Sequence, residues 1–353
     1  MSIMDAIGRS KSKWMEGSGP HSDIVITSRI RLARNLEEVP FPHIGEKAQQ
    51  QVVNAVKKAV AAAEVERQVG KLEFISMNEL PPLERQILVE KHLISPQQAQ
   101  PGGQKAIVLR EDEAISIMVN EEDHLRVQCL YPALQLHEAW RLANTLDDAL
   151  ENKLNFAFDE RQGYLTTCPT NVGTGLRASV MMHLPALVMT KQAGRVLSAL
   201  SQVGLAVRGL YGEGTEAIGN LFQVSNQITL GQNEEEIINN LSSVVKQIID
   251  QERSSREVLM RESRVHLEDR VGRAYGTLTN ARIISSQEAL SLMSEIRMGI
   301  DLKLVKGVDA RVLNELLVTI QPAFLQHSAG QEMESFERDV FRAKVIRQRL
   351  TGN

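Results

Sequence analysis

The segment that most constrains this chain is residues 163–185, GYLTTCPTNVGTGLRASVMMHLP. Its opening residues, Gly163, Tyr164, Leu165, Thr166 and Thr167, are rich in β-branched and aromatic side chains and predict a strand. Residues 168–175, CPTNVGTG, hold two glycines, a proline and an asparagine, so a loop follows instead of more strand. From Leu176 the chain leads into an apolar run ending at Pro185. A cysteine therefore stands at the mouth of a Gly-rich turn, with Arg177 shortly after it. That grouping suits a site that handles an anion near a polarised thiol.

Residues 1–22 read as an irregular lead-in, and residues 24–27 as a short strand. In the following Ser28-Arg29-Ile30-Arg31, the two arginines are two positions apart and point the same way on an extended chain. A helix is predicted over 46–69, and another from Pro82 with helical spacing to Leu93, broken by 96–103. Strands are predicted at 106–109 and 114–120, joined by an acidic turn, and at 127–131; a helix at 134–150 follows. After the opening segment come a helix to about 203 and strands at 206–211 and 221–230. The clearest helix covers 234–263, where Ile237, Ile238, Leu241, Val244, Val245, Ile248 and Ile249 make one apolar stripe. Beyond it only helices are predicted, at 287–298, 310–320 and 333–350. The expectation is an α+β protein, with a mixed part over 1–255 and an all-helical part over 256–353.

Composition narrows the function. The 353 residues give room for two domains, and 42% hydrophobic with 24% charged residues is ordinary for a globular protein. A net charge of -4 supplies no global field toward nucleic acid or membrane. Cys129 and Cys168 are too few and too far apart for a disulfide framework, and no CxxC suggests zinc. With no apolar run of about 18 residues and no signal-peptide core, a cytoplasmic protein is expected.

Five arginines lie near predicted strand ends: Arg29, Arg31, Arg126, Arg177 and Arg208. Taken singly each reads as a solvated surface arginine. Together they supply the forked, permanent charges that a polyphosphate needs. No P-loop and no protein-kinase glycine loop is present, so a bound nucleotide would rely on these arginines. Two carboxylate groups also stand out, Glu121-Glu122-Asp123 and Glu213, each following a strand. They suit a cationic substrate gripped from two sides, although the first also reads as an acidic surface turn. Cys168 is either a thiolate beside that cation or a small residue at a strand end; Cys129, inside an apolar strand, reads as core. His92 and His124 adjoin these segments. No spacing suggests a resident metal, so Mg²⁺ would arrive on the nucleotide phosphates. Arg338 and Arg342 share a helix face and suit one phosphate, or else a solvated face with a Glu334–Arg338 pair.

Taken together, the loop 168–175, Asn120-Glu121-Glu122-Asp123-His124-Leu125-Arg126, Ser28-Arg29-Ile30-Arg31, Arg177-Ala178-Ser179-Val180 and Arg208-Gly209 with Glu213 resemble the ATP:guanido phosphotransferase family, which includes arginine and creatine kinases. The motifs stand in the family's order over about residues 20–230. Further segments are similar to the bacterial protein arginine kinase branch. They are Trp14-Met15 with Gly19-Pro20, residues 91–95 and 208–213, residues 278–285, and Arg338-Asp339-Val340-Phe341-Arg342-Ala343. Tyr211 stands where metabolic arginine kinases usually carry another arginine, in agreement with that branch.

The resemblance implies a phosphagen-kinase-like fold, an antiparallel sheet flanked by helices, followed by an all-α region that carries a dimer contact. It implies ATP held by Thr27, Ser28, Arg29, Ile30, Arg31, His92, Arg126, Arg177, Ala178, Ser179, Val180, Met181, Arg208, Gly209, Leu210, Tyr211, Gly212 and Glu213. Glu122 and Glu213 would grip the substrate guanidinium, one of them taking its proton, with Cys168 beside it. Residues 338–343 would bind phosphoarginine as a regulatory site. The expected activity is transfer of the γ-phosphoryl of ATP, with Mg²⁺, to arginine side chains of proteins. Expected partners are protein substrates with accessible arginines, a zinc-binding activator, a Clp ATPase and protease system and a stress-response repressor. No direct nucleic-acid or membrane partner is expected. Two rivals stand beside this reading: a kinase of free arginine or another guanidino metabolite, and a non-enzymatic phosphoarginine-binding adaptor.

Overall fold

The computed structural model describes Gly8 and residues 11–41, 45–209 and 217–352. Strand β1 (Val25–Arg34) is followed by helices α1 (Glu46–Val60) and α2 (Ala63–Val69), strand β2 (Leu72–Ser76), and helices α3 (Pro82–Glu90) and α4 (Pro96–Ala99). Then come β3 (Ala106–Arg110), β4 (Ile115–Val119), β5 (Leu125–Pro132), α5 (Leu136–Glu151) and the short hairpin β6 (Phe158–Asp159) and β7 (Gly163–Tyr164). After β8 (Leu176–His183) follow α6 (Pro185–Met189), α7 (Ala193–Ser198), β9 (Leu205–Gly209) and β10 (Leu221–Asn226). The chain ends in α8 (Glu234–Glu262), α9 (Arg264–Asn280), α10 (Ser286–Asp301), α11 (Ala310–Thr319), α12 (Pro322–Ala329) and α13 (Ser335–Thr351).

Eight of these strands form one sheet in the order β2-β3-β4-β5-β1-β8-β10-β9. Every neighbouring pair is antiparallel. Alternation along the strands sends side chains to two different layers. On one face Ile30, Leu32, Val127, Cys129, Ala178 and Val180 pack against α1, α2, α5 and the first half of α8. On the other, Ile26, Ile107, Met118, Leu130 and Met181 join α3 and the C-terminal helices in a second core. The helical region therefore shares a core with the sheet, and α8 runs unbroken through residues 255 and 256.

Several elements differ from expectation, each for a local reason. The helix expected over 46–69 breaks at Ala62, whose backbone is extended. The buried positions Val52, Val56 and Val60 slip phase to Val65 and Val69, so one straight helix would turn the second set away from the core. The strand expected over 163–167 keeps only two residues in pairing. Leu165 N–H bonds to Ala157 O, and Thr167 N–H bonds to the carboxylate of Asp123. Strand β10 stops at Asn226, short of Leu230, because the Asn226 side chain takes over the ladder. It accepts from Ala178 N and donates to Leu176 O and Ile228 O. The helix expected to reach 203 is three short turns with Lys191 at φ 58°. Strand β1 runs on to Arg34 where only 24–27 is expected, and strands β2 and β6 and helices α4, α9 and α12 are additions to what the sequence predicts.

Candidate active site

The pleat of β1 and β8 builds the site. Thr27, Arg29 and Arg31 alternate with Ser28 and Ile30, which are buried on the opposite face. Across the pair, Ser179 stands opposite Arg29 and Arg177 opposite Arg31. Ala178 and Val180 again point into the core. On the other flank Gln128 stands opposite Arg31, and Arg126 two residues earlier on β5 joins the same face. Arg208 lies opposite Gln223 at the far edge of the sheet, exposed. The sheet thus gathers guanidinium groups from β1, β5, β8 and β9.

Arginines this close repel one another. Burial, then the charges of Arg126 and Arg177, lower the Arg29 pKa to about 10. Burial and the same kind of neighbours push Arg31 well down. Arg177 is lowered by burial, then by Arg208 and Arg126. Arg29 donates to Ser179 Oγ (3.3 Å) and Gln223 Oε1 (2.8 Å), and Arg177 to Ser225 Oγ (3.2 Å). The Nε atoms of Arg31 and Arg177 are buried with no partner among the described residues. Such a cluster, with donors to spare, fits a polyphosphate anion, which offers acceptors and the opposite charge.

Arg29, Arg31 and Arg126 share a cleft of about 440 Å³ with His92, Ser95 and Gln128, a size that suits a small ligand. His92 follows the end of α3 in the left-handed region at φ 61°, against Trp14 at 5.7 Å between ring centroids. Burial, then Arg29, drops its pKa to about 4, so it is a neutral imidazole at pH 7. The preceding Lys91 is buried in a pair with Glu113, itself bonded to Ser12 Oγ.

The acidic turn is largely buried, not the solvated surface it can pass for in sequence. Glu121 pairs with Arg126 (2.6 Å) and accepts from Ser95 Oγ (2.6 Å). Asp123 accepts from Asn35 Nδ2 (2.8 Å) and Thr167 N (2.7 Å). Glu122 alone is substantially exposed, 3.4 Å from Arg126. Its pKa is raised by burial, against Arg126, and further by Asp123 and Glu121.

Cys168 sits one residue beyond Thr167, partly exposed, with Sγ 3.0 Å from Thr170 Oγ1. Its loop is fixed by Thr229 Oγ1, which donates to Thr170 O and Val172 O, and by Arg34 Nη1 on Thr174 O. Arg177 senses both Cys168 and Glu122, so thiol, carboxylate and guanidinium cluster are neighbours. Cys129 is in the core, where burial pushes its thiol up to about 12. Leu210, Tyr211, Gly212 and Glu213 lie outside the described residues. Among the described residues no cluster of three His, Cys, Asp or Glu is placed to hold a metal ion.

The C-terminal motif lies apart on α13. Arg342 is 2% exposed and donates to Ile320 O (2.9 Å), Ile284 O (3.0 Å) and Asp339. Arg338 is half-buried and donates to Met333 O (2.6 Å). Glu334 caps the helix by a reciprocal bond with Glu337 and forms no pair with Arg338. The sequence reading omitted Gln128, Gln223, Ser225 and Ser95. Gln128 had a signal, since a polar residue interrupts the apolar strand two positions from Arg126.

An antiparallel sheet whose open face carries arginines, bordered by a carboxylate and a thiol, defines a phosphotransferase of phosphagen-kinase-like fold. Solved structures agree on the fold. A lombricine kinase superposes with TM-score 0.58 at 24% identity, covering 67% of this chain and 68% of that one. A duplicated taurocyamine kinase from Schistosoma mansoni superposes with TM-score 0.59 at 21% identity, covering 77% of this chain and 42% of that one. Residues 51–255 match the ATP:guanido phosphotransferase C-terminal catalytic domain, and residues 264–353 match the protein-arginine kinase McsB C-terminal domain. The protein-arginine kinase of Moorella thermoacetica is 68% identical over 97% of this chain and 98% of its own length. That of Pelotomaculum thermopropionicum is 55% identical over 100% and 99%. The chain belongs to the ATP:guanido phosphotransferase family, in its protein-arginine kinase branch, and is an ATP-using phosphotransferase.

Proposed function

We propose that this enzyme transfers the γ-phosphoryl group of ATP to arginine side chains of proteins. The observation that carries the reading is the guanidinium-lined sheet face with Glu122 at its border. Arg29, Arg31, Arg126, Arg177 and Arg208 hold the triphosphate and balance charge as it moves. Positioning and electrostatics supply most of the catalysis in phosphoryl transfer. Neutral His92 supports the nucleotide without adding another repelling charge. Mg²⁺ accompanies the ATP phosphates.

Glu122, together with Glu213, clamps the incoming guanidinium, and Cys168 helps to orient it. A guanidinium keeps its proton at neutral pH, so its nitrogen attacks only as a carboxylate takes that proton. The N–P bond forms as the bond from the γ-phosphorus to the β,γ-bridging oxygen breaks, and ADP departs. Glu122 is the member of the acidic triplet left exposed beside Arg126, and its raised pKa suits a base. The substrate class is supported by the identity with protein-arginine kinases over nearly the whole chain.

Branch membership supports the wider roles in this proposal. They are a cytoplasmic homodimer, a zinc-binding activator, delivery of marked proteins to a Clp system and control of a stress-response repressor. In the regulatory role of residues 338–343, an incoming phosphoryl group meets Arg338, while Arg342 holds α13 in place.

The test uses labelled Mg-ATP with an arginine-rich protein in one tube and free arginine in another. Acid-labile label on the protein, absent with Glu122→Ala, is expected. Label confined to free arginine would replace the reading with a metabolic kinase. No transfer in either tube with activator present would leave an adaptor.

A further inference from the structure

Glu90 is a half-buried carboxylate that the transfer reaction does not use. It closes α3 two residues before His92 and lines the same cleft. Its two oxygens accept from Ala323 N (2.8 Å) and Phe324 N (2.9 Å), the first amides of α12. Burial pushes its pKa up to about 7, against those two amides and the charge of Arg342. Gln321, the residue that caps α12, lines the cleft as well. Gln321 Nε2 donates to Leu317 O (2.9 Å), which uses one of its two N–H groups and leaves the carboxamide oxygen free as an acceptor beside the second N–H. The preceding carbonyl, Ile320 O, accepts from Arg342 Nε. Gln321 is therefore fixed from three sides, by α3 through Glu90, by α11 through Leu317 and by α13 through Arg342.

We propose that Gln321 contacts the bound nucleotide, so that the C-terminal helices supply part of the ATP cleft, and that Glu90 is the positioning residue that keeps it there. This rests on the reading of the cleft as the ATP site. The triphosphate offers only acceptors, and the arginines of the sheet match it. A carboxamide oxygen matches the other end of the nucleotide, whose donors are the ribose hydroxyls and the exocyclic amine of the base. The apolar side chains of Val89, Ile94 and Met118 line the same cleft and suit a base or sugar edge.

Steady-state kinetics on the full chain test it, with ATP, 2′-deoxy-ATP, 3′-deoxy-ATP and ITP as phosphoryl donors. Loss of one such hydrogen bond predicts that Gln321→Ala raises KM for ATP roughly fivefold, with kcat within about twofold. That penalty disappears with the analogue lacking the donor: a deoxynucleotide if the contact is to the ribose, ITP if it is to the base. Glu90→Ala reproduces the rise in KM, Glu90→Gln, with one oxygen for the two amides, reverses that rise only in part, and the Glu90→Ala/Gln321→Ala double variant is no worse than either single one. An unchanged KM for ATP in Gln321→Ala, or an equal rise with all four nucleotides, overturns the inference. Arg31→Ala separates the two failures. If it leaves KM for ATP unchanged, the cleft reading itself falls. If it raises KM while Gln321→Ala does not, only the role of Gln321 falls.

Discussion

Three consecutive acidic residues have three different fates, each set by what they touch. Glu121 is spent on Arg126 and Ser95, Asp123 on Asn35 and the Thr167 amide, and Glu122 is left at the border of the cleft. Removing Asp123 leaves two donors unpaired beside the Cys168 loop. Asp123→Ala should cost about 1–3 kcal/mol in denaturant unfolding and slow transfer, since the loop it pins carries Cys168. In the proposed role Glu122 has to be deprotonated to take the substrate proton, and its pKa is raised. Activity should therefore fall with decreasing pH along a limb above the usual glutamate range, and the limb should be absent in Glu122→Gln. The cysteines divide in the same way. Iodoacetamide should modify Cys168 in the native protein and reach Cys129 only after unfolding, read by mass spectrometry; early labelling of Cys129 would contradict its place in the core. The paired arginines of β1 were legible because alternation on a strand is local. The division of labour in the acidic turn was not, because Ser95 and Asn35 lie 26 and 88 residues away from their partners.

At the scale of elements, the site depends on how β1, β8 and the loop before β8 are locked together. Gly175 has φ +65°, and a Cβ there would stand 2.7 Å from Ala33 O. Gly175→Ala should lower stability by about 1–3 kcal/mol through that strain. Arg34 bridges the same junction. It pairs with buried Asp147 (2.6 Å), bonds to Thr174 O, and lies 3.5 Å over the Tyr164 ring. Arg34→Ala leaves Asp147 buried without its partner and should cost about 3–5 kcal/mol. Both losses would appear as lower denaturant midpoints with little change in slope. Strands β3 and β4 were readable as short apolar runs and helix α8 as an apolar stripe, because each signal belongs to the segment itself, whereas only the start of β1 was readable as strand. The early end of β10 was not readable, since an asparagine side chain replaces the ladder. The break between α1 and α2 left a trace in the sequence, the slip from Val60 to Val65, which helix propensity alone conceals.

For the whole molecule, the two faces of one sheet have separate jobs. One face is apolar throughout its packing with α1, α2, α5 and α8. The other divides between an apolar region under the C-terminal helices and the arginine cleft. Because Ile26, Leu130 and Met181 share a core with Leu278, Leu316 and Ile346, the helical region and the sheet should unfold in a single calorimetric transition. Two resolved transitions would show that the shared core contributes little. In the proposed reaction this sheet face holds ATP while Glu122 takes the proton of a protein arginine. The most direct measurement is single-turnover transfer from labelled ATP to an arginine-rich protein by Glu122→Gln, with ATP affinity measured alongside. The transfer rate should fall roughly 10²- to 10⁴-fold with ATP affinity within about twofold of the parent. Transfer at the parent rate, or a loss of ATP binding as large as the loss of rate, would contradict it.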